Sequence, residues 1–132
     1  MIVLDASAVL ELLLGGPAAP AVALRIETPD EGLHAPHLLD LEVAQVLRRY
    51  ALSGALDEAR GRAALDDLED LGLVRHAHDL FLPRIWELRG RVTAYDAAYL
   101  ALAEALPAPL LTLDRRLARA GGHRARVEVL RG

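Results

Sequence analysis

Two short apolar runs end in the same way and constrain the fold more than any other feature. Ile2-Val3-Leu4 runs into Asp5, and Leu110-Leu111-Thr112-Leu113 runs into Asp114. Neither run alternates apolar with polar residues, so each reads as a strand buried on both faces, the signature of a parallel sheet covered by helices. After each aspartate the chain turns helical. If the two strands are neighbours, their carboxylates meet at one edge of the sheet. Carboxylates crowded together repel one another unless protons or a cation intervene.

The remaining segments fit the same architecture. Helices are expected over Ala6 to Leu14, about Pro20 to Glu27, Leu38 to Leu52, Asp57 to Leu71, Leu80 to Arg89, Ala94 to Leu106 and Asp114 to Ala120. Gly15-Gly16-Pro17, Ser53-Gly54, Gly72, Pro107 and Gly121-Gly122 supply the stops. Further strands are expected at Leu33 to Ala35, Leu73 to Ala77 and Val127 to Leu130. Leu39, Val43, Val46, Leu47 and Tyr50 form an apolar stripe at helical spacing on the third helix. Strands alternating with helices predict a three-layer α/β fold with a mainly parallel sheet. At 132 residues, without repeats or long linkers, the chain is expected to be one domain spanning 1–132.

In an open parallel sheet the ligand site lies beyond the carboxyl ends of the strands. Asp5 and Asp114 stand at such ends. Asp96 falls in the first turn of a helix, where the dipole favours negative charge. Glu42 lies on a more polar flank of its helix, beside Leu38, Gln45 and Arg49. Each acid has an ordinary reading too: Asp5 and Asp114 as helix caps, Asp96 as part of a capping box opened by Thr93, Glu42 as a solvated helix residue. It is their conjunction that points to chemistry. A hard cation such as Mg²⁺ or Mn²⁺ takes oxygen ligands and keeps several waters. One or two such ions polarise a phosphodiester and lower the pKa of an attacking water, so no side-chain nucleophile is needed.

Composition narrows the classes. The absence of cysteine excludes disulfides, thiolate metal sites and a cysteine nucleophile. The formal net charge is −4, and the four acids alone account for it. All basic side chains are arginine, whose planar fork suits phosphate. Arg115 and Arg116, directly after Asp114, are candidate phosphate contacts, with Arg119, Arg89 and Arg91 similar in character. Aromatic residues make up 4 %, too few for a base-stacking platform. His34, His37, His76 and His78 lack the convergent spacing of a zinc site. No apolar run approaches the ~20 residues of a membrane span. No leader is evident at the start, so a soluble cytoplasmic protein is expected.

A phosphotransfer receiver requires a pocket lysine, and this chain has none. A haloacid-dehalogenase phosphatase carries a second aspartate in its first motif, which Asp5-Ala6-Ser7 lacks. The chain instead resembles PIN-domain proteins, in particular the small VapC-type ribonuclease toxins of bacterial type II toxin–antitoxin operons. The resemblance spans essentially the full length. It rests on Val3-Leu4-Asp5-Ala6-Ser7-Ala8, on Leu41-Glu42-Val43-Ala44, on Thr93-Ala94-Tyr95-Asp96-Ala97-Ala98-Tyr99-Leu100-Ala101-Leu102-Ala103 and on Leu111-Thr112-Leu113-Asp114-Arg115-Arg116-Leu117. It implies a five-stranded sheet of order 3-2-1-4-5 and Mg²⁺- or Mn²⁺-dependent endoribonuclease activity. By position it implies Asp5 and Asp96 as chief metal ligands, Glu42 and Asp114 completing the acidic pocket, and Ser7 and Thr112 as hydroxyls beside it. It further implies a homodimer and a cognate antitoxin. The competing function is a PIN-like module that binds RNA or a protein and cleaves little.

Overall fold

The computed structural model describes residues 1–28 and 31–132. Five strands, β1 (Ile2–Leu4), β2 (Leu33–Pro36), β3 (Val74–His76), β4 (Leu110–Thr112) and β5 (Val127–Val129), form one sheet of order β3-β2-β1-β4-β5. Every pairing is parallel, so the sheet is more uniform than the mainly parallel arrangement expected. The helices are α1 (Ala6–Leu14), α2 (Ala19–Ile26), α3 (Leu38–Ser53), α4 (Glu58–Asp70), α5 (Leu82–Glu87), α6 (Ala94–Ala105) and α7 (Arg115–Arg119).

β1 is central because it is the most apolar strand. Ile2, Val3 and Leu4 are fully buried, each removing a side chain from water for about 1.5–3 kcal/mol. Val3 pairs with Leu110 and Leu4 with Leu111, and the Asp5 amide extends the ladder to the Leu111 carbonyl at 3.2 Å. The two strand-end aspartates therefore emerge side by side. α6 lies against β1, β2 and β4, and an unbroken run from Ala97 to Ala103 is buried. Its small alanines allow that close approach to the sheet. α1 packs on α2, α3 and α4. α1 and α3 both stop at a left-handed glycine, Gly15 at φ 67° and Gly54 at φ 81°, a conformation without a Cβ penalty only for glycine.

Three elements differ from the sequence expectation. On α3 only Leu39, Val43 and Leu47 are buried, while Tyr50 is exposed and Val46 intermediate. The buried stripe is thus narrower, stepping by four residues. β3 is shorter than the expected Leu73 to Ala77, running from Val74 to His76. His76 meets His34 of the neighbouring strand, Nε2 to Nδ1 at 2.8 Å. The expected helix from Leu80 to Arg89 is shorter, a 3-10 turn over Asp79–Phe81 followed by α5, with Pro83 in the first turn of α5. Among the described residues, no single helix is long and apolar enough to cross a membrane.

Candidate active site

The acidic residues gather at the carboxyl edge of β1 and β4. Asp5 caps α1, and it is far more than a cap. Its Oδ1 accepts from the Ala8 amide at 3.0 Å and from the Ser7 hydroxyl at 2.7 Å, and its Oδ2 accepts from the buried Thr112 hydroxyl. Ser7 Oγ in turn accepts from the Leu113 amide at 3.0 Å, and Thr112 Oγ1 from the Asp114 amide at 3.0 Å. The two hydroxyls thus bolt the start of α1 to the end of β4. A carboxylate offers about four acceptor positions. Three are taken, which leaves Asp5 fixed in orientation with capacity for one further partner.

Asp96 is placed by the start of α6. The Thr93 hydroxyl caps that helix by accepting from the Asp96 amide at 3.1 Å. Glu42 comes from α3, next to the buried stripe, and its Oε1 accepts from the Tyr99 hydroxyl at 2.6 Å. Tyr99 lies one helical turn beyond Asp96 on α6, so the same helix presents one acid and anchors another. Asp114 caps α7, its Oδ1 accepting from the Arg116 amide at 2.9 Å. The Arg116 guanidinium approaches it only at 3.5 Å and is largely exposed.

Electrostatics tie these acids into one unit. Burial pushes the Asp5 carboxyl up from its ordinary value of 3.8. Hydrogen bonds from Thr112, Ala8 and Ser7 oppose the rise, and the charge on Asp96 adds to it. Burial also raises Asp96, and Asp114 raises it further, against smaller opposing effects of Thr93 and Arg116. Burial raises Glu42 from 4.5, the Tyr99 bond opposes this, and Asp96 and Asp5 add to it. Asp96 therefore feels or is felt by each of the other three. Tyr99 is pushed up strongly by burial and by Glu42, so its phenol stays a proton donor.

The donor set consists entirely of oxygen, which suits Mg²⁺ or Mn²⁺ and not a soft metal. Among the described residues, no three acid or histidine side chains stand close enough to grip one ion between them. A small hard cation that is held by one or two carboxylates fills its remaining positions with water. The His34–His76 pair likewise lacks a third ligand among the described residues.

Of the two candidate arginines, Arg116 lines a groove shared with Asp96 and Asp114. Arg115 lines a separate depression with Glu11, Pro17 and Val129. Sequence reasoning assigned no role to Tyr99. The available signal was a hydroxyl-bearing aromatic one helical turn after Asp96, within a run otherwise made of alanine and leucine from Ala97 to Ala103.

The PIN domain family model matches residues 2–123. Ribonuclease VapC1 of Mycobacterium tuberculosis is 46 % identical over 133 residues, covering 98 % of this chain and 97 % of that protein. The crystal structure of PAE2754 from Pyrobaculum aerophilum superposes with a TM-score of 0.71 at 25 % identity, over 98 % of this chain and 83 % of that one. A toxin–antitoxin complex from Klebsiella pneumoniae holds a chain of the same fold, with a TM-score of 0.64 at 19 % identity, over 89 % and 90 % of the two chains. With its parallel sheet of order 3-2-1-4-5 and a relative this similar over nearly the whole length, the chain belongs to the PIN-domain family, among its VapC ribonucleases.

Proposed function

We propose that the chain is a divalent-metal-dependent endoribonuclease, acting as the toxin of a toxin–antitoxin pair in the cytoplasm. The observation that carries this reading is the cluster of coupled carboxylates, three of them pushed above their ordinary values at one sheet edge. A site that holds negative charge at a cost in folding is a site prepared for a cation. Asp5 and Asp96 would be the principal ligands, with Glu42 and Asp114 reaching the ion through water. When bound, Mg²⁺ or Mn²⁺ supplies a more acidic attacking water and neutralises the leaving oxygen.

The chain's own groups do the positioning. Ser7 and Thr112 fix both oxygens of Asp5. Tyr99 fixes Glu42 through its hydroxyl. Hydrolysis adds water across one P–O bond, its proton passing to solvent or to the most basic neighbouring carboxylate. Support for a protein partner comes from the Klebsiella complex, in which a chain of this fold is bound in a toxin–antitoxin assembly. A homodimer is proposed on the family resemblance alone.

Purified protein should cut RNA when Mg²⁺ or Mn²⁺ is added and stop when EDTA removes it. Cleavage that continues undiminished in EDTA would refute the metal dependence. Binding of RNA with no cleavage under either ion would favour the competing module that only binds. Expression without an antitoxin should arrest a bacterial host, and Asp96→Asn at equal protein level should relieve the arrest.

Tyr99→Phe tests the positioning of Glu42. The phenyl ring stays buried and only the hydroxyl is lost. Stability should fall by about 0.5–1.5 kcal/mol, the net value of one hydrogen bond. Cleavage should fall several-fold, because Glu42 is no longer held. Wild-type cleavage rates in Tyr99→Phe would show that Glu42 needs no anchor.

A further inference from the structure

A groove of ≈ 710 Å³ runs from the loop after α5 to α7, and Arg89, Arg91, Arg116 and Arg119 line it together with Asp96 and Asp114. Four of the chain's 15 basic residues thus share one cavity with two of its four candidate acids. Outside the groove three arginines are tightly paired with carboxylates. Arg25 pairs with Glu128 at 2.8 Å, Arg75 with Asp40 at 2.6 Å and Arg84 with Glu104 at 2.8 Å. In the groove, Arg89, Arg91 and Arg119 form no ion pair among the described residues, and Arg116 makes only the long contact to Asp114.

Two of these side chains are held in place without being neutralised. The Arg89 guanidinium stacks on Trp86, 4.6 Å from the ring centroid, and donates to the Trp86 carbonyl at 2.9 Å. Arg91 lies over Gly121 and Gly122, so closely that a Cβ at Gly121 would meet its Nη1 at 2.9 Å. The far side of the acids is different. There the cavity that includes Glu42 is walled by Ala6, Leu10, Leu38, Leu41 and Val46, with Arg49 its one guanidinium.

A lone anion needs one or two guanidinium forks. Four forks lining one groove with two of the carboxylates match a chain of phosphates, one of them at the acids and its neighbours on the arginines. The groove's volume of ≈ 710 Å³ is that of a small-molecule site, room for a few nucleotides of one strand. Resting on the nuclease reading above, we propose that the groove is the exit track for single-stranded RNA on one side of the scissile phosphate. Arg91 and Arg119 are its positioning residues. The backbone leaves the acids towards the α5–α7 side, and the apolar cavity does not carry it.

The test uses an unstructured fluorescent oligoribonucleotide. Its cleavage with Mn²⁺ and its binding by anisotropy in EDTA are both measured over a range of salt. Arg91→Ala with Arg119→Ala should raise KM several-fold while kcat changes little. The plot of log affinity against log salt should become shallower by about 0.7 for each arginine removed. Lysine at both positions should restore most of the slope, because the charge persists. Arg62→Ala removes an equal charge from the exposed face of α4, outside the groove, and should change nothing. If loss of the Arg91 contact with Gly121 disturbs the fold, Arg119→Ala alone carries the measurement. Unchanged affinity and slope in the double variant would overturn the track, even if wild type cleaves and Asp96→Asn does not. Failure of the wild type to cleave under any divalent ion would count against the nuclease reading instead, and the anisotropy series would still decide whether the groove holds the strand.

Discussion

Asp96→Asn is expected to lower metal-dependent RNA cleavage by at least about 100-fold, the scale on which perturbed metal sites fail, and to make the metal-free protein more stable. The two effects share a cause. Asp96 is partly buried, with Asp114 beside it, and its charge also raises Asp5 and Glu42. Its folded-state value lies above the ordinary 3.8. As pH rises through 3.8 the unfolded chain gives up this proton first, while the folded protein still holds it, so stability falls. The loss is complete once pH passes the raised folded value, and it persists at neutral pH. Asparagine removes the charge and keeps the shape, so at pH 7 in EDTA the variant should gain about 1 kcal/mol. That gain should fade in acid, below 3.8. Denaturant unfolding of both proteins in EDTA across pH measures it. An Asp96→Asn protein that is less stable at neutral pH would mean that Asp96 is structural and not strained.

Asp5→Ala should behave in the opposite way towards stability. Its removal deprives α1 of its N-cap, worth about 1 kcal/mol. It also strands the fully buried Thr112 hydroxyl and the Ser7 hydroxyl without their acceptor, at about 1–3 kcal/mol. Relief from burying a carboxylate offsets part of this, and a net loss of about 2 kcal/mol is expected. Asp5→Asn keeps one oxygen for the Ala8 amide and should fall between the wild type and alanine. Both variants should lose cleavage, since neither holds a cation. Full cleavage in a stable Asp5→Ala protein would remove Asp5 from the chemistry.

How far the sequence foretold this arrangement depends on the range of the interactions involved. That both runs are buried strands ending in aspartate was legible from local pattern, whereas their pairing came from the resemblance, which implies the order 3-2-1-4-5. The place of Asp96 behind Thr93 reads as an ordinary capping box, so only the conjunction of acids and the resemblance singled it out. Glu42 was only half legible. A stripe that included Val46 and Tyr50 left its direction open, and the narrower Leu39–Val43–Leu47 stripe is what turns it to the site. Tyr99 was not legible, because an aromatic in a buried helix reads as packing, and its partner lies 57 residues away on α3. The shared groove of Arg91, Arg116 and Arg119 depends on how the loop after α5 folds against α7, which no periodicity encodes. The shortened α5 and the His34–His76 contact likewise follow from strand and helix ends, where local preference is weakest.

Direct titration of Mn²⁺ into the metal-free protein at neutral pH, by calorimetry, is the sharpest check on the acidic pocket. Wild type should bind the ion, and at 100 times the dissociation constant should gain about 2.7 kcal/mol of stability. Asp96→Asn should show no such binding. Equal binding by the two proteins, or no binding by the wild type, would contradict the claim that Asp96 helps hold a cation at this acidic edge.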